Sequence, residues 1–84
     1  MKYTDGQIIH LGDIVALAGQ QGVVVCDIDG GQFSDDPNYS ADVWSYLGEG
    51  IMARYTAYGL IHHTVPDPDL ELIRRGDQMP SIDR

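Results

Sequence analysis

Val23-Val24-Val25-Cys26-Asp27-Ile28, closed by Asp29-Gly30-Gly31, is the stretch that decides the fold of this chain. β-branched residues dominate it, and such side chains pack well on a pleated, half-buried surface. Side chains alternate across a strand, so Asp27 is expected to face water and Val24, Cys26 and Ile28 the core. Upstream, Ala18-Gly19-Gln20-Gln21-Gly22 reads as a turn with two glycines available for positive φ. Ile14-Val15-Ala16-Leu17 is then a short strand covered on much of both faces. Leu11-Gly12-Asp13 punctuates the chain before it. Asp5-Gly6, between Lys2-Tyr3-Thr4 and Gln7-Ile8-Ile9, predicts a tight turn.

Downstream, residues 32–40 are polar, acidic and irregular, with Phe33 and Tyr39 among them. Residues 40–48 read as a short helix. Ser40 would accept from first-turn amides, Asp42 would favour the positive end of the dipole, and Gly48 would stop it. Val43, Trp44 and Leu47 would share the face turned to the sheet. Residues 50–56 predict a strand with Ile51, Ala53 and Tyr55 inside. Ala57-Tyr58-Gly59 turns it into a partner over residues 60–65. Pro66 and Pro68 block continuation, because proline cannot donate to a ladder. Leu70-Glu71-Leu72-Ile73 closes the core.

About five short strands and one helical insertion predict a mainly β domain, either a small partly open barrel or two packed sheets. Residues 1–75 form a single domain in this reading, and residues 76–84 a polar, frayed tail. Val24, Cys26, Ile28, Ile51, Ala53 and Leu70 are expected in one core.

Thirteen acidic residues against five Lys and Arg give a formal charge of −8. That sign disfavours nucleic acid and anionic membranes, whose phosphates call for a basic surface. It suits a basic partner instead. Cys26 is the only cysteine, which excludes an intramolecular disulfide and suits a buried thiol in a reducing compartment. No apolar run approaches the roughly 18 residues of a membrane span, and Met1–Gly6 carries no signal-peptide core. A cytoplasmic location is expected.

Catalytic and metal chemistry find little support. His62 and His63 are adjacent, so on a strand they point to opposite faces and cannot share one metal. Asp27, Asp29, Asp35 and Asp36 do not make a calcium loop, because Gly31 stands at a ligand position and the closing Glu is missing. The acids lie in turns, where water keeps them ionised, and neither a serine elbow nor a phosphate-cradling loop appears. An enzyme, a cofactor and a metal are therefore not expected. The richest binding chemistry lies between Asp29 and Glu49, where Asp29, Asp35, Asp36, Asp42 and Glu49 accompany Phe33, Tyr39, Trp44 and Tyr46. Aromatic anchors within a charged rim are the usual furniture of protein interfaces. Trp44 is assigned to the core and Tyr39, between Asn38 and Ser40, to an exposed anchor. The candidate partner-binding set is Asp29, Phe33, Asp35, Asp36, Tyr39, Asp42 and Glu49.

Leu11-Gly12-Asp13-Ile14-Val15 followed by Gly22-Val23-Val24-Val25 resembles the opening of SH3-like small barrels of the KOW type. That likeness implies RNA or ribosome contact, although the basic residues that serve it are missing. Tyr3-Thr4-Asp5-Gly6, Leu11-Gly12-Asp13, the 29–44 segment, Tyr58-Gly59-Leu60-Ile61-His62 and residues 69–73 together resemble a second group. These are small acidic SH3-like proteins that neutralise toxins used between competing bacteria. The resemblance implies an immunity role, in which an acidic surface occludes a basic toxin's active site. A general adaptor or regulatory barrel is the alternative.

Overall fold

β-structure dominates the computed structural model, which describes residues 1–34 and 36–76. The strands are β1 (Ile14–Leu17), β2 (Gln20–Asp27), β3 (Gln32–Phe33), β4 (Ile51–Tyr55), β5 (Gly59–His63) and β6 (Leu70–Arg74). They form one antiparallel sheet in the order β5-β4-β2-β1-β6, with β3 paired to the end of β2. The chain thus meanders through β1, β2, β4 and β5, and β6 returns to the free edge of β1. Among the described residues no ladder joins the outer strands β5 and β6. The expected mainly β domain is therefore seen, with a two-residue sixth strand added.

Local chemistry explains most of these elements. Tyr3 N donates to Gln7 O and Gly6 N to Tyr3 O, so the Asp5-Gly6 turn forms as expected. The β1–β2 hairpin is tighter than its sequence suggests, because Leu17 pairs directly with Gln20. Only Ala18 and Gly19 make the loop, both at positive φ (50° and 84°), which is the hand that suits a two-residue hairpin. Gly22 is needed for another reason. It faces Tyr55 across β2–β4, and a Cβ there would lie 2.4 Å from the tyrosine ring.

All six residues expected in the core are buried, but they divide between two clusters. The cause is a bulge in β2. Val24 pairs with Ala53 and Cys26 with Met52, so Val25 is the extra residue. The bulge turns Cys26 to the face opposite Val24, and the simple alternation fails there. One face gathers Tyr3, Ile9, Val15, Val24, Ile51, Ala53, Tyr55 and Leu70. The other gathers Val25, Cys26, Ile28 and Met52, covered by Phe33, Tyr39, Trp44 and Leu47.

The expected helix over residues 40–48 is broken into two pieces and is preceded by a separate turn. A 3₁₀ turn over Pro37–Tyr39 leads into α1 (Ala41–Trp44), and a second 3₁₀ turn follows over Ser45–Leu47. Ser40 makes no side-chain cap; Asp36 does, accepting from Asn38 N. Gly48 stops the last turn at φ 82°. Val43 faces outward instead of toward the sheet. Gly76, expected to fray, packs on Gly12: a Cβ on it would meet the Gly12 carbonyl at 2.3 Å. The rest of the expected tail lies outside the described residues.

No helix among the described residues is long and apolar enough to cross a membrane.

Candidate functional site

The segment between Asp29 and Gly50 is held at its neck. Asp29 accepts from Gly50 N through Oδ1 at 2.9 Å and pairs with the Met1 ammonium through Oδ2 at 3.3 Å. Ile28 N and Asp29 N both donate to Gly50 O. Gly50 is buried at φ 90°, and a Cβ there would collide with the His63 carbonyl. The Gly50 amide holds the Asp29 carboxyl below its ordinary range, against some desolvation and with help from the Met1 ammonium. Asp29, expected on the binding surface, is therefore the clasp that closes the segment.

Phe33 and Tyr39 are half-buried against the outer cluster, and the Tyr39 carbonyl accepts from Cys26 Sγ at 3.5 Å. Tyr39 is thus a roof residue rather than an exposed anchor, because the backbone turn after Pro37 carries it back over the sheet. Burial pushes the Cys26 thiol up from its ordinary pKa. Trp44, expected in the core, is only half-buried: it packs on the edge of the cluster, and its Nε1 donates to Asn38 O at 2.6 Å. Asp36, Asp42 and Glu49 are exposed, while Asp35 lies outside the described residues.

The aromatic that does face outward is Tyr46. It is 76 % exposed and stacks on Trp44 with ring centroids 6.5 Å apart. Val43, 45 % exposed, stands one helical turn away. Val43 and Tyr46, three residues apart, and Trp44, stacked with Tyr46, make up an apolar ridge, and Asp36, Asp42 and Glu49 are exposed elsewhere in the same segment. Sequence reading counts Tyr46 among the segment's aromatics but leaves it out of the partner-binding set, since a regular helix over residues 40–48 gives no sign of the break after Trp44. The transition to a 3₁₀ turn re-aims the side chain.

Two polar pairs lie on the opposite, inner side. Asp13 is fully buried and accepts from Tyr3 Oη at 2.6 Å, His10 N at 2.9 Å and Arg75 Nη1 at 2.9 Å, all through Oδ2. Burial, then the bond to Asp13, push the Tyr3 phenol far above its ordinary pKa. Arg75 also donates to Ile8 O, so this group ties the end of β6 to the N-terminal hairpin. Tyr55 Oη meets His63 Nε2 at 2.8 Å, and burial raises the Tyr55 phenol to about 12. Burial also lowers the His63 pKa, opposed by the charge of Asp67. His62 points to the other face and meets Glu49 O at 2.7 Å, so the two histidines are separated by the sheet as expected.

No family model, curated protein or solved structure matched this chain.

Proposed function

We propose that the chain is a non-catalytic binding protein that occludes a basic protein toxin, docking through the Val43–Trp44–Tyr46 ridge. The observation that carries this reading is Tyr46, a large aromatic left 76 % exposed on a segment whose other aromatics are packed down. A stacked, exposed tyrosine offers much contact area with little rotamer entropy to lose. Asp36, Asp42 and Glu49, exposed on the same segment, supply negative charge that would steer a basic partner, and the net charge of −8 favours such a partner too. Asp29, Phe33 and Tyr39 act indirectly here, by holding the ridge in place. The toxin assignment rests on the resemblance to acidic immunity proteins.

The test is co-purification with the product of a toxin-like reading frame beside this one, followed by kinetics on a sensor chip. Tyr46→Ala should raise the off-rate by at least about tenfold. Asp42→Asn with Glu49→Gln should slow association severalfold at low salt. Binding that ignores all three changes would refute the ridge. A neighbouring toxin that this chain neither binds nor inhibits would refute the immunity reading.

A further inference from the structure

The sheet's outer face is only partly roofed by the 29–49 segment, and the more open part carries one cross-strand row. Arg54 pairs with both Leu60 and Val23, Val23 with Ile14, and Ile14 with Arg74. Residues paired across strands share a face. Leu60, Arg54, Val23, Ile14 and Arg74 therefore run across five strands, on the side opposite Ala53 and Val15. Val23 and Ile14 are partly buried aliphatics, Val23 packing on the outer cluster, and both arginines are exposed. Among the described residues neither Arg54 nor Arg74 forms an ion pair, in a chain with thirteen acids against five Lys and Arg. An open cleft of about 500 Å³ lies over the Arg54, Val23 and Ile14 part of this row, lined also by Gln21, Tyr55 and Thr56, with Arg74 beyond its end.

We infer that this row is a second binding surface, taking an extended acidic peptide segment of a partner protein. Charge complementarity selects the occupant. A guanidinium presents a planar fork that matches a carboxylate, and two such forks flank an apolar floor. The spacing fixes the pattern. Three strand separations of 4.7–4.9 Å put Arg54 and Arg74 about 14 Å apart, and four residues of extended chain span about 13 Å. Carboxylates at i and i+4 reach the two arginines, while the side chain at i+2 points the same way onto Val23 and Ile14. Glu71 stands in the next row of this face, beside Ala16, and opposes such a ligand weakly. This surface is separate from the Tyr46 ridge, so either can fail without the other.

The probe is a fluorescein-labelled Gly-Ser-Glu-Ser-Leu-Ser-Glu-Ser-Gly peptide, followed by anisotropy against the full chain in low salt. Saturable binding is expected, weakened about tenfold by Arg54→Ala or Arg74→Ala and strengthened by Glu71→Gln. A peptide with Gln at both Glu positions should fail, and one with the two Glu adjacent should bind several times more weakly. Tyr46→Ala should leave the peptide affinity unchanged. Melting curves of the arginine variants should match the parent, because among the described residues neither side chain has a hydrogen-bond or ion-pair partner to lose. Equal binding by the parent and Arg54→Ala would overturn the inference. So would full displacement by millimolar inorganic phosphate, which would mark a generic anion site. Self-association of the chain that Arg54→Ala abolishes, without peptide binding, would overturn it in favour of a second copy as occupant.

Discussion

On one face of the sheet, eight buried residues from the N-terminal hairpin and four strands close on one another, with Asp13–Arg75 and Tyr55–His63 beside them. On the other face, four buried residues are roofed by a segment of short turns, and the rest of that face is more open. The inner face is held by ladder register and by partners far apart in sequence. The outer roof is held by its neck, by Asp36 and Trp44 hydrogen bonds within the segment, and by four half-buried side chains. Stability thus belongs to the inner face. The outer face can vary its exposed residues without unmaking the sheet, and both proposed binding surfaces lie there.

The largest expected effect comes from placing a charge in the inner face. Val24→Asp should abolish folding, because an unpaired buried carboxylate costs several kcal/mol against a total of about 5–10. Val43→Asp on the outer ridge should change the melting temperature little. A cooperative, parent-like melt for Val24→Asp by circular dichroism would break the contrast between the faces.

Arg75→Ala comes next. It removes the cation from a fully buried carboxylate, which costs roughly 3 kcal/mol when one partner of such a pair is lost. Tyr3→Phe, which removes one neutral donor to the same oxygen, should cost about 1 kcal/mol. Urea unfolding of each, and of the pair together, checks the ranking and the coupling. Equal costs for the two variants would mean that the ion pair is not what secures β6.

These two cases also show what the sequence makes legible. The strands, the Asp5-Gly6 turn and the burial of Val24, Ile51 and Leu70 follow from local periodicity and turn chemistry. Asp13 does not: its partners Tyr3 and Arg75 lie 10 and 62 residues away, and locally Leu11-Gly12-Asp13 reads as a turn. The bulge at Val25 is equally hidden, since it depends on pairing with β4. Within the candidate segment, composition marks a region rich in acids and aromatics but does not say which of those side chains face out. Whether Tyr39 or Tyr46 faces out depends on two 3₁₀ turns around a four-residue helix, a geometry without a clear periodic signature.

Cys26 offers a smaller but sharper probe, because its thiol lies under the roof and not in the inner core. Labelling by a thiol reagent in native buffer should proceed through local opening of the 29–49 segment, faster than global unfolding allows. Trp44→Ala should speed labelling about tenfold or more while lowering global stability less than Arg75→Ala does. Labelling that tracks the global unfolding rate in both proteins would show that the roof and the inner face open as one unit.

The smallest expected effect separates the two inner polar pairs. Asp13–Arg75 is charged, whereas the Tyr55–His63 contact suits a neutral imidazole whose Nε2 accepts from the phenol. His63 is lowered from 6.5 chiefly by burial, with His62 adding to the shift and Asp67 opposing it. A histidine whose folded pKa lies below its unfolded value binds fewer protons when folded, so stability rises with pH across the interval between the two. Stability should therefore be level above about pH 7 and fall as pH drops below 6.5, the unfolded value. The Asp29 contribution is lost only lower, as pH falls from 3.8 through its depressed folded value, so the two windows are distinct. Urea midpoints at pH 7.5 and 5.5 measure the His63 term, and His63→Gln should remove most of the difference while Asp13 and Arg75 stay in place. An undiminished difference in His63→Gln would refute its assignment to His63 and would leave the Tyr55–His63 contact without a part in the pH dependence.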